Sequence, residues 1–324
     1  MPTPAESFEP YRRRLLGLGY RMLGSMADAE DAVQETYLRW HAADRDNVSD
    51  PRAFLMTTTT RICLDMLTSA RARHEEYVGP WLPEPVFDTT ALAPDKRTEL
   101  AEDLSIALLL TLDRLSPLER AAFLLHDVFD FSFTEVAKTL ERSESACRKL
   151  ATRARTHVRT LRPRGTTTTA IPEQPGKIDV KHTQLMAAFA KAAQWGDLNA
   201  LTQLLANDVR VVTDAGGQMA EALEVIEGAD RAAQFIIGIA RRRPDSPWGK
   251  GFRLRFTPIN GWPGVVVEGP EGPVQTAAFE IEGGVIRALY VVRNLDKLRH
   301  LAVGHLEVGT GPHDESDRKI GESL

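Results

Sequence analysis

Two separated groups of charged side chains carry the strongest chemical signals in this sequence. The run DAEDAVQETYLRW at positions 28–40 repeats carboxylates at three- and four-residue steps, at Asp28, Asp31 and Glu35. Between positions 142 and 164 there are eight cations and one anion, a local charge of +7. A carboxylate-lined helix face can bind a protein, and clustered cations bind phosphates. The pairing predicts an adaptor that brings nucleic acid to a protein partner, and not a catalyst.

The basic segment has the pattern of a helix-turn-helix, with helices predicted at Ser132–Leu140 and Ser143–Leu161. In such a motif the start of the second helix enters the major groove, where Arg can read guanine and Glu can read cytosine. The residues expected to contact bases or phosphates are Glu144, Ser145, Arg148, Lys149, Arg153 and Arg155. A solvated basic helix in an ordinary bundle is the alternative, because the turn at 140–142 lacks glycine.

Amphipathic helices must position both groups. The acidic run fits a helix at Asp28–Ala43, and Pro51 begins a second helix that reaches Arg71 and Arg73. A capping box at Ser116 starts a helix at Ala121–Val128. The buried side of the acidic helix is predicted to be Ala29, Val33, Tyr37 and Trp40. The buried side of the basic helix is predicted to be Ala146, Leu150, Ala154 and Leu161.

The remaining sequence divides into linkers and a third unit. Four prolines make 79–101 a linker, although its apolar residues Trp81, Leu82, Val86 and Phe87 should dock on a folded surface. A second linker covers 165–176. Beyond it an α+β pattern begins with a helix at Thr183–Trp195 and another capped by Asp197. The predicted strands are Val209–Val212, Phe252–Thr257, Gly264–Glu268, Val274–Ile281 and Val285–Arg293.

Composition limits the function classes. The 324 residues carry a net charge of −5, with 43% hydrophobic residues and no apolar run long enough to span a bilayer. No secretory signal is evident, so we expect a cytoplasmic protein without a membrane partner. The two cysteines, Cys63 and Cys147, are expected to be buried, and the scattered histidines predict no metal site. No cofactor is expected, and the tail from Glu307 is predicted to be disordered.

The two charged segments together resemble extracytoplasmic-function sigma factors of bacterial RNA polymerase. DAEDAVQETYLRW resembles the polymerase-binding motif of their second region, and Phe133–Arg155 resembles their fourth region. The resemblance implies that core RNA polymerase and promoter DNA are the partners. It implies a polymerase-binding set of Asp28, Asp31, Gln34 and Glu35. It implies a downstream-promoter set of Arg61, Asp65, Arg71 and Arg73, although Cys63 and Thr68 depart from the more frequent asparagine and arginine.

The first linker and the third unit resemble the subgroup that carries a C-terminal SnoaL-like domain. The linker has the subgroup's Trp-Leu-Pro-Glu-Pro segment at 81–85. Asn294–Leu298 resembles its N-P-D-K-L segment without the proline, and Asp214–Gln218 resembles its D-G-G-G-K loop without the lysine. The interdomain contact implied by this resemblance involves Trp81, Leu82, Pro83, Glu84, Pro85, Asp214, Asn294, Asp296 and Lys297.

The predicted fold is therefore multidomain, with two all-α units followed by an α+β SnoaL-like cone-shaped barrel. The boundaries are 5–78 for sigma region 2, 79–103 for the linker, 104–164 for sigma region 4, 165–179 for a second linker, 180–305 for the SnoaL-like domain and 306–324 for the tail. The predicted function is an alternative sigma factor regulated in cis by its last domain, with a possible small-molecule ligand in that domain.

Two other functions remain open from the sequence. One is a ligand-sensing helix-turn-helix repressor, and the other is a SnoaL-like enzyme fused to a DNA-binding module. Acid–base chemistry in the latter would use Asp214, Asp208 and His182, since it needs titratable groups in an apolar cavity. Fold analogy is weak support for catalysis, and turn and cap roles explain such aspartates better.

Overall fold

The computed structural model describes residues 3–75, 78–87, 89, 92, 103–161, 178–217, 223–242 and 252–303. The second linker up to residue 177, residue 218 and the predicted tail lie outside these ranges, as do Arg162 and Arg164. For Arg71 and Arg73 only the helical backbone is described. None of the helices in the described ranges combines the length and the hydropathy that a bilayer-spanning segment needs.

The N-terminal half is helical. Its elements are α1 (Pro4–Leu23), α2 (Met26–Ala42), a 3₁₀ turn (Arg45–Asn47), α3 (Pro51–Glu75), α4 (Ile106–Asp113), α5 (Pro117–Phe123) continued by a π-helical turn (Leu124–Val128), α6 (Phe133–Leu140) and α7 (Glu144–Leu161). Capping boxes at Thr3, Ser116 and Ser132 begin α1, α5 and α6. The predicted acidic and basic helices and the capping box at Ser116 are therefore present, with ends shifted by a few residues.

One apolar core joins α1–α3 to α4–α7. It extends from Phe8 in α1 to Val158 in α7, and both predicted cysteines lie buried within it. The two helical units predicted as separate domains thus share their hydrophobic interior in this arrangement. Burial of this shared surface favours their association.

The inward side of α7 differs from the prediction. The fully buried residues are Cys147, Ala151, Ala154 and Val158, whereas Ala146 and Leu150 are only half-buried. Only Ala154 was placed correctly at the centre of the buried side, and the side chain of Leu161 is not described. The buried side of α7 is formed largely by the small residues Cys147, Ala151 and Ala154, and α7 is a neighbour of α5.

The C-terminal half contains α8 (Val180–Trp195), α9 (Leu198–Leu204), α10 (Ala229–Arg242), a 3₁₀ turn (Leu295–Leu298) and α11 (Arg299–Val303). Its strands are β1 (Leu205–Asp214), β2 (Ile226–Glu227), β3 (Arg253–Phe256), β4 (Gly264–Gly269), β5 (Gly272–Glu282) and β6 (Val285–Val292). They form one open sheet in the order β2-β1-β6-β5-β4-β3, in which β1 and β6 are parallel and the other pairs antiparallel.

The five predicted strands are all present, and the structure adds β2 and α10. Helix α10 is amphipathic and packs Ala232 and Ala233 into the core, with Phe235 partly buried against it, but the sequence analysis did not identify it. The cap predicted at Asp197 is confirmed, since its side chain accepts a hydrogen bond from Ala200 N.

The sheet separates two apolar clusters. On one face, Val209, Val211 and Val291 pack with α8 and α10. On the other face, Val212 and Val292 pack with Leu82 of the linker and Ile106 of α4. Successive strand residues point to opposite faces, so β1 and β6 contribute to both clusters in alternation.

Candidate functional site

A buried ion pair of the C-terminal domain holds the first linker. Asp214 Oδ2 accepts hydrogen bonds from Leu82 N at 2.9 Å and from Lys297 Nζ at 2.7 Å. Lys297 Nζ also donates to Leu82 O at 2.6 Å. We call these three residues the linker clamp. Because the backbone N–H and the backbone C=O of Leu82 both have charged partners, the clamp fixes the linker against the sheet.

Burial dominates the electrostatics of the linker clamp. The side chain of Asp214 is 0% exposed and that of Lys297 is 11% exposed. Burial lowers the pKa of Lys297, and the attraction of Asp214 opposes that shift. The Nζ atom lies 4.4 Å from the centroid of the Trp81 ring, so the ammonium is also over an aromatic face. Removing either charge would leave the other in a desolvated position.

Trp81 packs against the end of α1. Gly24 ends that helix with a φ of 71°, in the left-handed region, and a Cβ at this position would lie 2.4 Å from Trp81 Cη2. Glycine is therefore required here both by the backbone and by the tryptophan. The linker touches the C-terminal domain on one side and α1 on the other.

Glu84 attaches the linker to the acidic helix α2. Its Oε2 accepts hydrogen bonds from Met26 N at 2.7 Å and Ala27 N at 3.4 Å, which places a carboxylate at the N-terminus of α2. The backbone N of Glu84 donates to Gly24 O at 2.9 Å. One residue later, Pro85 O is 2.8 Å from Nε2 of His300 in α11. The segment 81–85 thus bridges α2 and the C-terminal domain.

Asn260 is a junction that sequence analysis did not identify. Its Oδ1 accepts from Val86 N at 3.1 Å, and its Nδ2 donates to Tyr20 OH at 2.7 Å and to Leu104 O at 3.2 Å. Tyr20 OH in turn donates to Glu84 O at 2.6 Å, and burial raises the pKa of this phenol, which keeps the proton in place. One side chain therefore connects α1, the linker, the segment before α4 and the C-terminal domain. The sequence signal at this position is the dipeptide Asn260-Gly261, which is typical of a turn. Asn260 has a φ of 52°, in the left-handed region that asparagine tolerates.

Three of the predicted interdomain residues lie around the linker clamp in different ways. Pro83 is buried in the linker. Asn294 N donates to Asp214 O at 3.2 Å, and its Oδ1 caps Asp296 N at 3.1 Å. Asp296 itself faces solvent and pairs with Arg299 at 2.7 Å, because the 3₁₀ turn directs its side chain outward. Asn294 supports the linker clamp through the backbone, whereas Asp296 lies away from it.

The residues predicted to bind polymerase lie together on α2. Asp31 and Gln34 are exposed, and Asp28 and Glu35 are partly exposed. Glu35 Oε1 accepts from Arg39 Nε at 3.0 Å within the same helix. The opposite side of α2 carries the buried residues Ala29, Val33 and Trp40, as predicted. A polar surface is thus available to a partner without rearrangement of the helix.

The downstream-promoter residues are positioned differently. Arg61 Nε donates to Thr139 O and its Nη2 to Lys138 O, both at 3.1 Å, and the guanidinium pairs with Glu141 at 3.0 Å. Arg61 thus stabilises the C-terminal end of α6, where carbonyl oxygens attract a cation. Asp65, one turn further along α3, is exposed. In this arrangement Arg61 serves the contact between α3 and α6.

The contact between α1, α3 and the helix-turn-helix is extensive. Phe129 O accepts from Arg14 Nη2 at 2.9 Å and from Arg52 Nη2 at 2.8 Å. Thr57 and Thr139 share a hydrogen bond of 2.9 Å between their hydroxyl oxygens. Arg120 of α5 donates to Met22 O, and burial lowers its pKa. These bonds keep the two helical units closed upon one another.

The basic helix α7 presents most of its predicted DNA-contacting residues to solvent. Glu144, Ser145, Arg148, Lys149 and Arg153 are exposed. Glu144 pairs with Arg148 at 3.3 Å, and its hydrogen bond from Thr134 is the main cause of its lowered pKa. Arg148 also lies over the Phe133 ring at 4.5 Å. Arg155, by contrast, pairs with Asp127 of the π-helical turn at 2.8 Å and is partly buried, so it holds α7 in place.

The proposed acid–base set does not assemble. Asp214 is part of the linker clamp, Asp208 pairs with Arg287 at 2.8 Å on the surface, and His182 is only partly buried on α8. None of the three is among the residues that line the cavity of the C-terminal domain. Among the described residues, no group of His, Cys, Asp and Glu side chains could hold a metal ion.

Comparison with known proteins matches the helical half to two protein families and matches most of the chain to individual relatives. Residues 8–73 match Sigma-70 region 2 and residues 105–158 match Sigma-70, region 4. ECF RNA polymerase sigma factor SigJ of Mycobacterium tuberculosis is 36% identical over 90% of this chain and 91% of its own length. Probable ECF RNA polymerase sigma factor SigI of the same organism is 30% identical over 90% of this chain and 95% of its own. The crystal structure of M. tuberculosis SigJ matches with a TM-score of 0.65 and 33% identity, covering 90% of this chain and 96% of that one. The chain therefore belongs to the extracytoplasmic-function sigma factors, as its two charged motifs predicted.

Proposed function

We propose that this sigma factor binds core RNA polymerase through α2, binds promoter DNA through α3 and α7, and is regulated in cis by its C-terminal domain. The observation that carries the regulatory part is the linker clamp. A buried ion pair of the last domain binds both the backbone N–H and the backbone C=O of Leu82. The regulatory domain therefore acts on the segment that connects the two DNA-binding units.

The contact between α3 and α6 must open before α3 can bind DNA through Arg61. Arg61 can reach a DNA strand only after it leaves Thr139 O, Lys138 O and Glu141. The residues proposed for polymerase on α2 include two, Asp31 and Gln34, that are already exposed. Polymerase can thus bind the closed form first, and its binding energy can shift the population towards separated units.

The linker clamp sets the cost of that separation. Glu84 lies at the N-terminus of α2 while Leu82 is held by the C-terminal domain, so movement of α2 relative to the C-terminal domain pulls on the linker. Asn260 adds a second attachment through Val86, Tyr20 and Leu104. The C-terminal domain thereby biases the equilibrium between closed and open units.

Transcription reconstituted from core polymerase and the full-length chain tests the polymerase interface. We expect Asp31→Lys to abolish polymerase capture and transcription, because it reverses a charge in the proposed interface. Glu30→Lys is the matched control, since Glu30 is the exposed neighbour on α2 and the charge change is the same. If both variants lose capture equally, or if D31K retains it, the assignment of this face fails.

The regulatory part has its own test in the same assay. Lys297→Met weakens the linker clamp without touching α2, α3 or α7. We expect the transcripts made per captured polymerase to change, by about tenfold for each 1.4 kcal/mol that the clamp contributes to closure. Unchanged output at equal capture would contradict cis regulation. Promoter DNA that is bound tightly by the chain without polymerase would instead support a helix-turn-helix repressor.

A further inference from the structure

The first turns of α6 and α7 are joined by a small cluster of polar side chains around Arg148. Thr134 Oγ1 in α6 donates a hydrogen bond to Glu144 Oε1 in α7 at 2.7 Å. The second carboxylate oxygen, Glu144 Oε2, accepts from Arg148 Nη2 at 3.3 Å. Both oxygens of Glu144 therefore have a partner within the protein. A carboxylate that bonds to a hydroxyl and to a guanidinium holds that guanidinium in one direction.

The aromatic ring of Phe133 is a second contact for Arg148. The guanidinium carbon of Arg148 lies 4.5 Å from the centroid of this ring. His126 of the π-helical turn stacks on the same ring, with the centroids 4.0 Å apart and an angle of 28° between the planes. His126 Nδ1 lies 2.7 Å from Phe131 O, so the imidazole is itself held in place. The Arg148 guanidinium is thus held by a carboxylate and by an aromatic face that packs on a fixed neighbour.

Arg148 remains open to a base in spite of these contacts. Its side chain is 59% exposed. The bond to Glu144 uses one of the five N–H donors that a guanidinium carries, and the contact with Phe133 is not a hydrogen bond. A guanidinium that keeps donors and has a fixed direction is suited to the paired hydrogen bonds that read O6 and N7 of guanine.

We propose that Phe133 and Glu144 are positioning residues for promoter recognition: they hold Arg148 in the direction that reads a guanine, and Glu144 does not read a base itself. This inference rests on the proposed function of α7 as a promoter-binding helix. It differs from the expectation from the sequence, in which Glu144 accepts from a cytosine. A base-reading Glu144 specifies a base pair of its own, whereas a positioning Glu144 affects the base pair that Arg148 specifies.

Selection from a randomised template library separates the two assignments. Full-length chain and core RNA polymerase are mixed with duplex templates randomised upstream of the start site, and the retained templates are sequenced. We expect one base pair to favour guanine, and Arg148→Met to lower that preference about tenfold. Lys149→Met is the matched control, since this exposed neighbour is expected to contact phosphate and should weaken all templates alike. The preference is a ratio within one sample, so it does not depend on the fraction of the protein that is active.

Three further variants test the positioning residues at the same base pair. Phe133→Leu removes the ring, and we expect the guanine preference to fall about two- to fivefold, the effect of one exposed cation–π contact. Phe133→Tyr keeps the ring face and should keep the preference. Thr134→Val removes the hydroxyl that donates to Glu144, and Glu144→Gln weakens the attraction for Arg148. Both T134V and E144Q should lower the preference at this base pair and at no other.

Each outcome decides the proposal. If E144Q loses a preference at a second base pair and keeps the guanine preference, Glu144 reads a base and the proposal is overturned. An unchanged guanine preference in F133L, or equal losses in F133L and F133Y, overturns the role of the Phe133 ring. A natural chain that prefers certain templates, with a preference that R148M leaves intact, overturns the inference alone. A natural chain that captures polymerase yet retains all templates equally overturns the proposed sigma function, and the inference with it.

Discussion

Replacement of Lys297 by methionine is the most direct perturbation of the linker clamp. Methionine keeps most of the side-chain volume but removes both hydrogen bonds from Nζ, to Asp214 Oδ2 and Leu82 O. The Asp214 carboxylate remains fully buried, with hydrogen bonds from Leu82 N and Gly216 N. Loss of one partner from a buried ion pair costs about 3–5 kcal/mol, because the other charge is left desolvated. The cation over the Trp81 ring is lost as well.

Hydrogen exchange of the linker measures this cost locally. Opening that becomes easier by about 3 kcal/mol increases exchange of the 81–86 amides by more than about a hundredfold. Arg299→Met is the matched control in the same segment, since its partner Asp296 and Arg299 itself are 72% and 80% exposed. An exposed pair contributes only about 0–1 kcal/mol, so R299M should exchange like the natural chain.

A double variant separates the ion pair from the packing. Combining Lys297→Met with Asp214→Asn removes the unpaired charge, so much of the lost protection should return. If K297M exchanges no faster than R299M, the Lys297–Asp214 pair does not hold the linker, and the regulatory argument built on it fails.

Two further predictions concern other parts of the same interface. Asn260→Asp keeps the side-chain acceptor for Val86 N but replaces the amide that donates to Tyr20 OH with a carboxylate. We expect urea denaturation to show a loss of about 1–3 kcal/mol in the free energy of unfolding. The control Asn47→Asp, at an exposed position, should lose almost none. Glu280→Gln should stabilise the protein at neutral pH, because burial raises the pKa of Glu280 above 4.5. The stability linked to protonation of Glu280 is fully present below pH 4.5 and is lost as pH rises through the raised pKa. The gain in melting temperature of E280Q over the natural chain should therefore shrink as pH falls. A gain that is independent of pH would contradict this cause.

Local patterns predicted most elements well. The acidic helix, the capping box at Ser116 and the five strands depend on periodicity and cap residues within a short window, and the structure contains all of them. Docking of the linker was also predictable, because Leu82 and Val86 are costly to expose, and both are buried.

Long-range partners were not predictable in the same way. Arg155 has the spacing of a phosphate contact, yet Asp127 lies 28 positions earlier and pairs with it. Arg61 likewise meets the end of α6, 77 and 78 positions away. Asp214 was considered for acid–base chemistry, but the alternation of β1 places Thr213 in the cavity and Asp214 at the linker. The partner of each of these charged side chains depends on tertiary packing, which cannot be read from a single sequence.

The alternation of β1 and β6 also limits how this domain can diversify. Insertion or deletion of a single residue before Thr213 would exchange the two faces of β1. Asp214 would then face the apolar side of the sheet, and the Thr213 hydroxyl would face the linker. The cavity face and the linker face would both be disrupted by that one change. A point substitution, by contrast, can alter a residue on the cavity face and leave the linker face intact. Descendants of this protein can therefore change what the domain accommodates by substitution, while the length of these two strands stays constant.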